Sequence, residues 1–200
     1  MDYDKAGLLL NSYGFKLIES KFTTSADEAI SFADGREIIL KAITLKATHK
    51  SKNGLIFPNL TNEEEIKRAY NLLVKRAQKF KPFQILVQPM IKNGIEIIIG
   101  GNTDKQFGKM VVVGLGGIYV EVFKDFSARI CPISGYDAQM MINELKSKNI
   151  IASNPHYENL VKEIIVKASK MFMENNIQEF DLNPVILHDN TYDIVDLRML

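Results

Sequence analysis

Two stretches of this chain bring together side chains that can do chemistry. Between Ile38 and Asn62 there is no acidic residue, yet Lys41, Lys46, His49, Lys50 and Lys52 all fall there. Lys41 interrupts the apolar run IILKAI. A lysine in such a strand is costly unless its ammonium meets an anion or snorkels out to water. A polyphosphate in a cleft answers that need, and so does a solvated basic surface. The loop that follows offers His49, Lys50, Asn53 and Gly54, whose ammonium groups and backbone amides suit phosphate oxygens. Lacking interleaved aromatics beyond Phe57, it does not read as a nucleic-acid patch.

The second stretch, FDLNPVILHDNTYDIVDLRML, closes the chain. It reads as a hairpin with Asp189-Asn190 as the turn, both residue types that tolerate positive φ. His188 then lies opposite Thr191, Asn183 opposite Asp196, and Asp181 opposite Arg198. Opposed residues stand only ~5 Å apart at Cβ. An amide and a carboxylate oxygen at that separation suit Mg²⁺, which takes few protein oxygens and leaves the rest for phosphate and water. The competing reading is a plain strand start with an edge proline. A one-residue bulge would throw Asn183 and Asp196 onto opposite faces.

Two further segments matter less by themselves. VVVGLGGIYVEVFKD has Gly116 and Gly117 where a backbone can approach closely, with Glu121 shortly after. It lacks the helix context of a dinucleotide turn and the GK[ST] of a P-loop. In ILVQPMIKNGIEIIIGG, the strand end Leu86-Val87-Gln88 can pair through its backbone with an adenine edge, and Glu96 across the next turn can reach a ribose. A plain hairpin explains the same residues.

The elements that must position these groups alternate in type. Helices are expected over residues 2–13, from Ser25-x-x-Glu28 to Ala33, after Thr61-x-x-Glu64, after Ser134-x-x-Asp137, and from Asn154-Pro155 onward. The third carries Ile66, Ala69, Tyr70, Leu73, Val74, Ala77 and Phe80, an apolar stripe at helical period. Strands are expected at 38–43, 85–89, 95–99, 110–113 and in the two closing arms, with the middle three forming an antiparallel meander. The fold class is α+β, with helices covering a largely antiparallel sheet.

Bulk properties exclude several classes. Lys plus Arg number 25 and Asp plus Glu 24, a net charge of +1, which argues against a general nucleic-acid or membrane-surface binder. The one cysteine, Cys131, rules out an internal disulfide, fits a reducing compartment, and reads as a small hydrophobe. The start MDYDKAGLLLNSYGF has no signal-peptide pattern, and no window reaches the ~18 apolar residues of a membrane span. A cytoplasmic protein is expected.

Taken in chain order, a strand lysine, a His-Lys loop, a Val-Gln strand end, an acid, a glycine turn and an Asn/Asp pair make an inventory for ATP and Mg²⁺. Over nearly its whole length the chain resembles the ATP-grasp domain of the NDP-forming acyl-CoA synthetases, that is, the β subunit of ADP-forming acetate–CoA ligase, distantly related to the succinyl-CoA synthetase β subunit. The segments LLNSYGF, IILKAITLKATHKS, ILVQPMIKNGIEIIIGGNTDKQFGKMVVVGLGGIYVEVFKD and FDLNPVI…IVDLR carry the resemblance. It implies one ATP-grasp domain, with a small subdomain at about 20–83 and a larger one from 1–19 plus 84–200, enclosing a nucleotide cleft. It implies that Lys41 contacts phosphates, that Leu86-Val87-Gln88 is the adenine hinge, that Glu96 lies near ribose or metal, and that Asn183 and Asp196 hold Mg²⁺. Gly116, Gly117 and Glu121 complete the nucleotide-binding set. His49 is implied to take a phosphoryl group from a partner's phosphohistidine and pass it to the nucleotide. The expected partner is a CoA-binding α subunit in an α₂β₂ assembly, since the chain ends soon after Asp196 with no region for CoA or acyl handling. The run Ser51-Lys52-Asn53-Gly54-Leu55 departs from the family, with Lys where an acid is usual and one glycine fewer. A non-catalytic nucleotide-binding module and another ATP-grasp carboxylate ligase are the alternative readings.

Overall fold

The computed structural model describes residues 1–44, 46–47, 52–117 and 125–200. They divide into two compact units, Ile18–Lys92 and Met1–Leu17 with Asn93–Leu200.

The smaller unit is a four-stranded antiparallel sheet in the order β1-β4-β2-β3, with β1 Lys21–Thr23, β2 Ile38–Ile43, β3 Ile56–Leu60 and β4 Gln84–Pro89. Its helices are α1's successors in the chain, α2 Ala26–Ala33 and α3 Glu63–Ala77, α1 itself being Tyr3–Ser12 of the other unit. Alternation puts Ile38, Leu40, Ala42, Ile85 and Val87 on one face, where they pack with Ala29 and Ala33 of α2 and with Ile66, Leu73 and Ala77 of α3. The helical stripe read from the sequence is this core.

Three expectations need correction here. The boundary at 83 cuts off β4, which pairs with β2 from Ile38↔Pro89 to Ile43↔Gln84 and belongs to this sheet. The expected meander is therefore broken, because the short turn after Pro89 leads into the other sheet and not back along the same one. Finally, α3 starts one residue later than Thr61-x-x-Glu64 implies. Asn62 caps it, accepting from the Glu65 amide at 3.0 Å, while the Glu65 carboxylate takes the Thr61 amide at 2.9 Å. Glu64 is released to pair with Arg68. The two short edge strands carry little sequence signal, β1 for its length and β3 because it contains Pro58. An edge is where a sheet tolerates proline.

The larger unit is a six-stranded antiparallel sheet in the order β10-β8-β5-β6-β7, with β9 also on β8. Its strands are β5 Ile95–Asp104, β6 Gly108–Leu115, β7 Phe126–Ile130, β8 Glu179–His188, β9 Thr191–Ile194 and β10 Leu197–Met199. Helices α1, α4 Gly135–Glu144, α5 Lys148–Ile151 and α6 Pro155–Glu174 accompany it. Ile97, Ile99, Val111, Val113, Leu182 and Val185 point to one face and meet Leu10, Met141, Ile142, Ile164, Ala168 and Phe172. Ser134 and Asp137 form the expected capping box of α4. Gly101 is glycine because a Cβ there would lie 2.1 Å from the Phe180 ring, which stands edge-on to Phe172 at 5.1 Å. Among the described residues no helix is long and apolar enough to cross a membrane.

Candidate functional site

In the smaller unit Lys41 is 3% exposed on the central strand β2. It stands opposite Leu86 of β4 and Ile56 of β3. Leu86 and Gln88, also buried, share its face, because residues two apart on a strand point the same way. That face is turned away from α2 and α3. Val87 points the other way, into the helix-backed core, and its backbone lies between Lys21 of β1 and Leu40 of β2 in the sheet. β1 pairs with β4 through Ile85, Leu86 and Val87, and Gln88 lies just past that pairing. The structure thus brings Lys41, Leu86 and Gln88 onto one surface. His49 lies outside the described residues.

In the larger unit Glu96 meets the glycine turn directly. Its carbonyl accepts the Gly116 amide at 2.7 Å. A Cβ on Gly116 would lie 2.9 Å from the Glu96 Cβ and 3.1 Å from its backbone carbon, so no side chain fits. Gly117 has φ +66°, and its missing Cβ would lie 3.3 Å from the Glu96 carboxylate. Gly114, two residues earlier, is a strand residue of β6 opposite Ile98 and Phe126. Glu121 lies outside the described residues. Just beyond that segment, buried Asp125 accepts the Lys146 and Ser147 amides, each at 2.8 Å. Burial pushes its carboxyl upward, but the Ser147 and Lys146 hydrogen bonds outweigh that and hold it below the ordinary range.

The closing hairpin has the register its turn dictates. Asp189 and Asn190 take φ 45° and 57°, and His188 pairs with Thr191. The same alignment continues past the end of β9. The Asn183 amide donates to the Asp196 carbonyl at 3.1 Å, the Val195 amide donates to the Pro184 carbonyl at 3.0 Å, and Arg198 faces Asp181. A bulge does occur, but against β5. Val185 pairs with Ile97 and Leu182 with Ile99, so Ile98 alone faces Asn183 and Pro184. The Asn183–Asp196 side of the strand keeps its register. Leu182 and Val185 stay in the core, and Asp181 and Asn183 lie on the opposite face, shared by Glu96.

The sequence pairs Asp181 with Arg198, and the structure adds a second set of neighbours. Asp181 belongs with Asn183 and Asp196: burial raises its carboxyl pKa most, the Asp196 charge and then Glu179 add to that, and Arg198 and a hydrogen bond with Asn183 oppose it. The signal was present in the sequence, since Asp181 stands two residues before Asn183 and so on the same side. Two carboxylates and an amide oxygen crowded on one sheet face are hard donors whose mutual repulsion a divalent cation relieves. The set therefore fits Mg²⁺ shared with phosphate. Among the described residues no group of three or more His, Cys, Asp or Glu forms a fuller cage.

Other titratable groups are otherwise engaged. His188 contacts Asp193 at 2.8 Å and Asp189 at 3.3 Å. Cys131 is half-buried, and burial raises its thiol pKa, which disfavours a nucleophilic thiolate.

Two antiparallel sheets, each backed by helices on one face and carrying its polar residues on the other, are matched along the whole chain by the model of the ATP-grasp domain, over residues 1–200, and the chain belongs to that family. Its relatives narrow the branch. The β subunit of acetate–CoA ligase [ADP-forming] II from Pyrococcus furiosus is 35% identical over 210 residues, covering 98% of this chain and 89% of that protein. The dinucleotide-forming acetyl-coenzyme A synthetase 1 of Ca. Korarchaeum cryptofilum, solved with coenzyme A and Ca-AMPCP, matches with a TM-score of 0.89 at 34% identity, over 98% of this chain and 91% of that one. The same synthetase with coenzyme A and Mg-AMPPCP, its phosphohistidine segment pointing towards the nucleotide binding site, matches with a TM-score of 0.80 at 33% identity, over 98% and 90% of the two chains.

Proposed function

We propose that this chain is the nucleotide-binding β subunit of an ADP-forming acetyl-CoA or related acyl-CoA synthetase. The observation that carries the reading is the hairpin, where Asp181, Asn183 and Asp196 gather on one face at the end of a chain similar throughout to such subunits. The reaction converts acyl-CoA, ADP and phosphate into acid, CoA and ATP. This chain's share is the last transfer. The bond between phosphorus and the His49 imidazole breaks, a terminal β-phosphate oxygen of ADP takes the phosphoryl group, and the imidazole, which in the phosphohistidine carries a proton on its other nitrogen, leaves as neutral His49.

Lys41 offsets phosphate charge, the strand end Leu86-Val87-Gln88 bounds the base, and Glu96, Gly116, Gly117 and Glu121 meet the rest of the nucleotide. Asn183 and Asp196, with Asp181 beside them, would hold Mg²⁺, which supplies charge neutralisation for the phosphates. A CoA-binding α subunit, in an α₂β₂ assembly in the cytoplasm, makes the acyl phosphate and the first phosphohistidine. The test runs the transfer backwards with ATP labelled at the γ-phosphate. Acid-labile, base-stable label on the chain, absent in H49A, supports the relay. Label retained in H49A sinks it. The altered run Ser51–Gly54 favours one other reading, a binding module without transfer, which predicts ADP binding and no label.

A further inference from the structure

Strand register orders the polar residues of the larger sheet along β8. Ile186 stands opposite Glu96 of β5. Asn183 comes next, its amide on the Asp196 carbonyl. Asp181 follows, opposite Arg198 of β10. Two residues along a strand is ~7 Å, so these positions form successive rows on the face turned away from the core. Glu96, tied by the Gly116 amide to the glycine turn, occupies the first row. The metal candidates Asn183 and Asp196 occupy the second. The last row, Asp181 with Arg198, lies beyond them on the side away from Glu96.

That last row contains a cation. Leu197 and Met199 are buried in the core, so alternation turns Arg198 to the other face, where it is exposed. Directly opposed residues stand ~5 Å apart at Cβ, which sets its stem beside Asp181. On the other flank of Asp181, β5 contributes Gly100 and so no side chain to the row. Beyond its burial, the Asp181 carboxyl feels the charges of Asp196, Glu179 and Arg198, which therefore act over one small area. A guanidinium here can serve as a counter-charge to the acids or as a ligand, and its place in the row order favours the ligand. A polyphosphate that leaves a ribose beside Glu96 and meets a cation at Asn183 and Asp196 runs toward Arg198, so its terminal phosphate is the group that arrives there. The planar fork of arginine presents paired donors to phosphate oxygens, which an ammonium cannot do. Resting on the nucleotide reading above, we propose that Arg198 is a ligand of the terminal phosphate of ATP, through which this site distinguishes ATP from ADP.

The test uses full-length wild type, R198Q and R198K. Calorimetry measures MgCl₂ alone, Mg-ADP and Mg-AMPPCP, whose terminal phosphate is carried on a methylene bridge and is not transferred. In R198Q the affinity for Mg-AMPPCP should fall about ten- to thirty-fold, the worth of a charge-assisted contact. Mg-ADP affinity should hold to within about three-fold, the worth of an exposed charge that makes no contact. MgCl₂ alone should bind as well or better, since a positive charge beside the acids has gone. R198K should recover part of the Mg-AMPPCP loss, because it keeps the charge without the fork. An R198Q protein that binds Mg-AMPPCP as tightly as wild type, or more tightly, makes Arg198 a counter-charge and overturns the proposal. Equal weakening of Mg-ADP and Mg-AMPPCP in both variants also overturns it, because the arginine then serves the inner phosphates or the fold. A wild type that binds neither nucleotide overturns the nucleotide reading itself and the role of Arg198 with it.

Discussion

Replacing Asp196 by Asn separates the metal reading of the hairpin from a purely structural one, because the two predict different signs. Asparagine keeps an oxygen and the size of the side chain but removes one charge. A unit charge ~4 Å from another is worth ~1 kcal/mol in water-like surroundings, so about 2 kcal/mol against a divalent cation. Asp196 is half-exposed, so the water-like value is the lower bound. Two kcal/mol is about a 30-fold loss of Mg-ADP affinity. At a ligand concentration ~100 times the wild-type Kd, binding stabilises the wild type by about 2.7 kcal/mol and the variant by about 0.9 kcal/mol. For a chain of this size that is a rise in Tm of roughly 8 °C against roughly 3 °C. Without metal the order is level or reversed. Asp196 is one of the charges that raise the Asp181 carboxyl, so removing it relieves a repulsion. Thermal melts of both proteins, with and without Mg-ADP, check this directly. A D196N protein that keeps the full ligand-dependent rise, or that melts several degrees lower without ligand, would refute the metal assignment.

Asp125→Asn should cost about 1–3 kcal/mol, because an amide cannot accept both backbone N–H groups that the carboxylate now holds, and one is left unpaired in a buried place. Since the folded carboxyl is held below its unfolded value, the stability it contributes is complete above the unfolded pKa of ~3.9 and is lost as pH falls through the lower folded value. Acid melts of D125N should lack that loss. Lys41→Met should weaken ADP binding at least ten-fold, since the phosphates lose the ammonium that offsets their charge; calorimetry with ADP tests it. Gly116→Ala should cost about 1–3 kcal/mol, because the new Cβ presses on Glu96 backbone atoms that have no free rotation to escape by. Its Mg-ADP affinity should fall with it, whereas Gly135→Ala, with nothing within 4 Å, should do neither.

Much of the fold was legible because local chemistry and global structure agree. The capping residues Ser25, Ser134 and Asn154 each start a helix where the sequence places them, and β2 runs from Ile38 to Ile43 as the apolar run implies. The shifted cap at Asn62 shows the limit of spacing rules. Thr61-x-x-Glu64 and Asn62-x-x-Glu65 are equally good patterns, spacing does not choose between them, and the structure uses Asn62 with Glu65.

What the sequence determined alone is the hairpin. A two-residue turn of Asp189 and Asn190 sets a register that, with no bulge on this side of the strand, puts Asn183 opposite Asp196 and Arg198 opposite Asp181. Alternation likewise put Lys41 and Gln88 on faces that could be counted off once the pairing was known. Tertiary structure decided the rest. Which sheet takes β4 depends on long-range pairing with β1 and β2, and nothing in ILVQP distinguishes one antiparallel neighbour from another. That Asp181 joins the metal candidates depends on charges meeting across elements whose spacing in the chain says nothing of their distance in space.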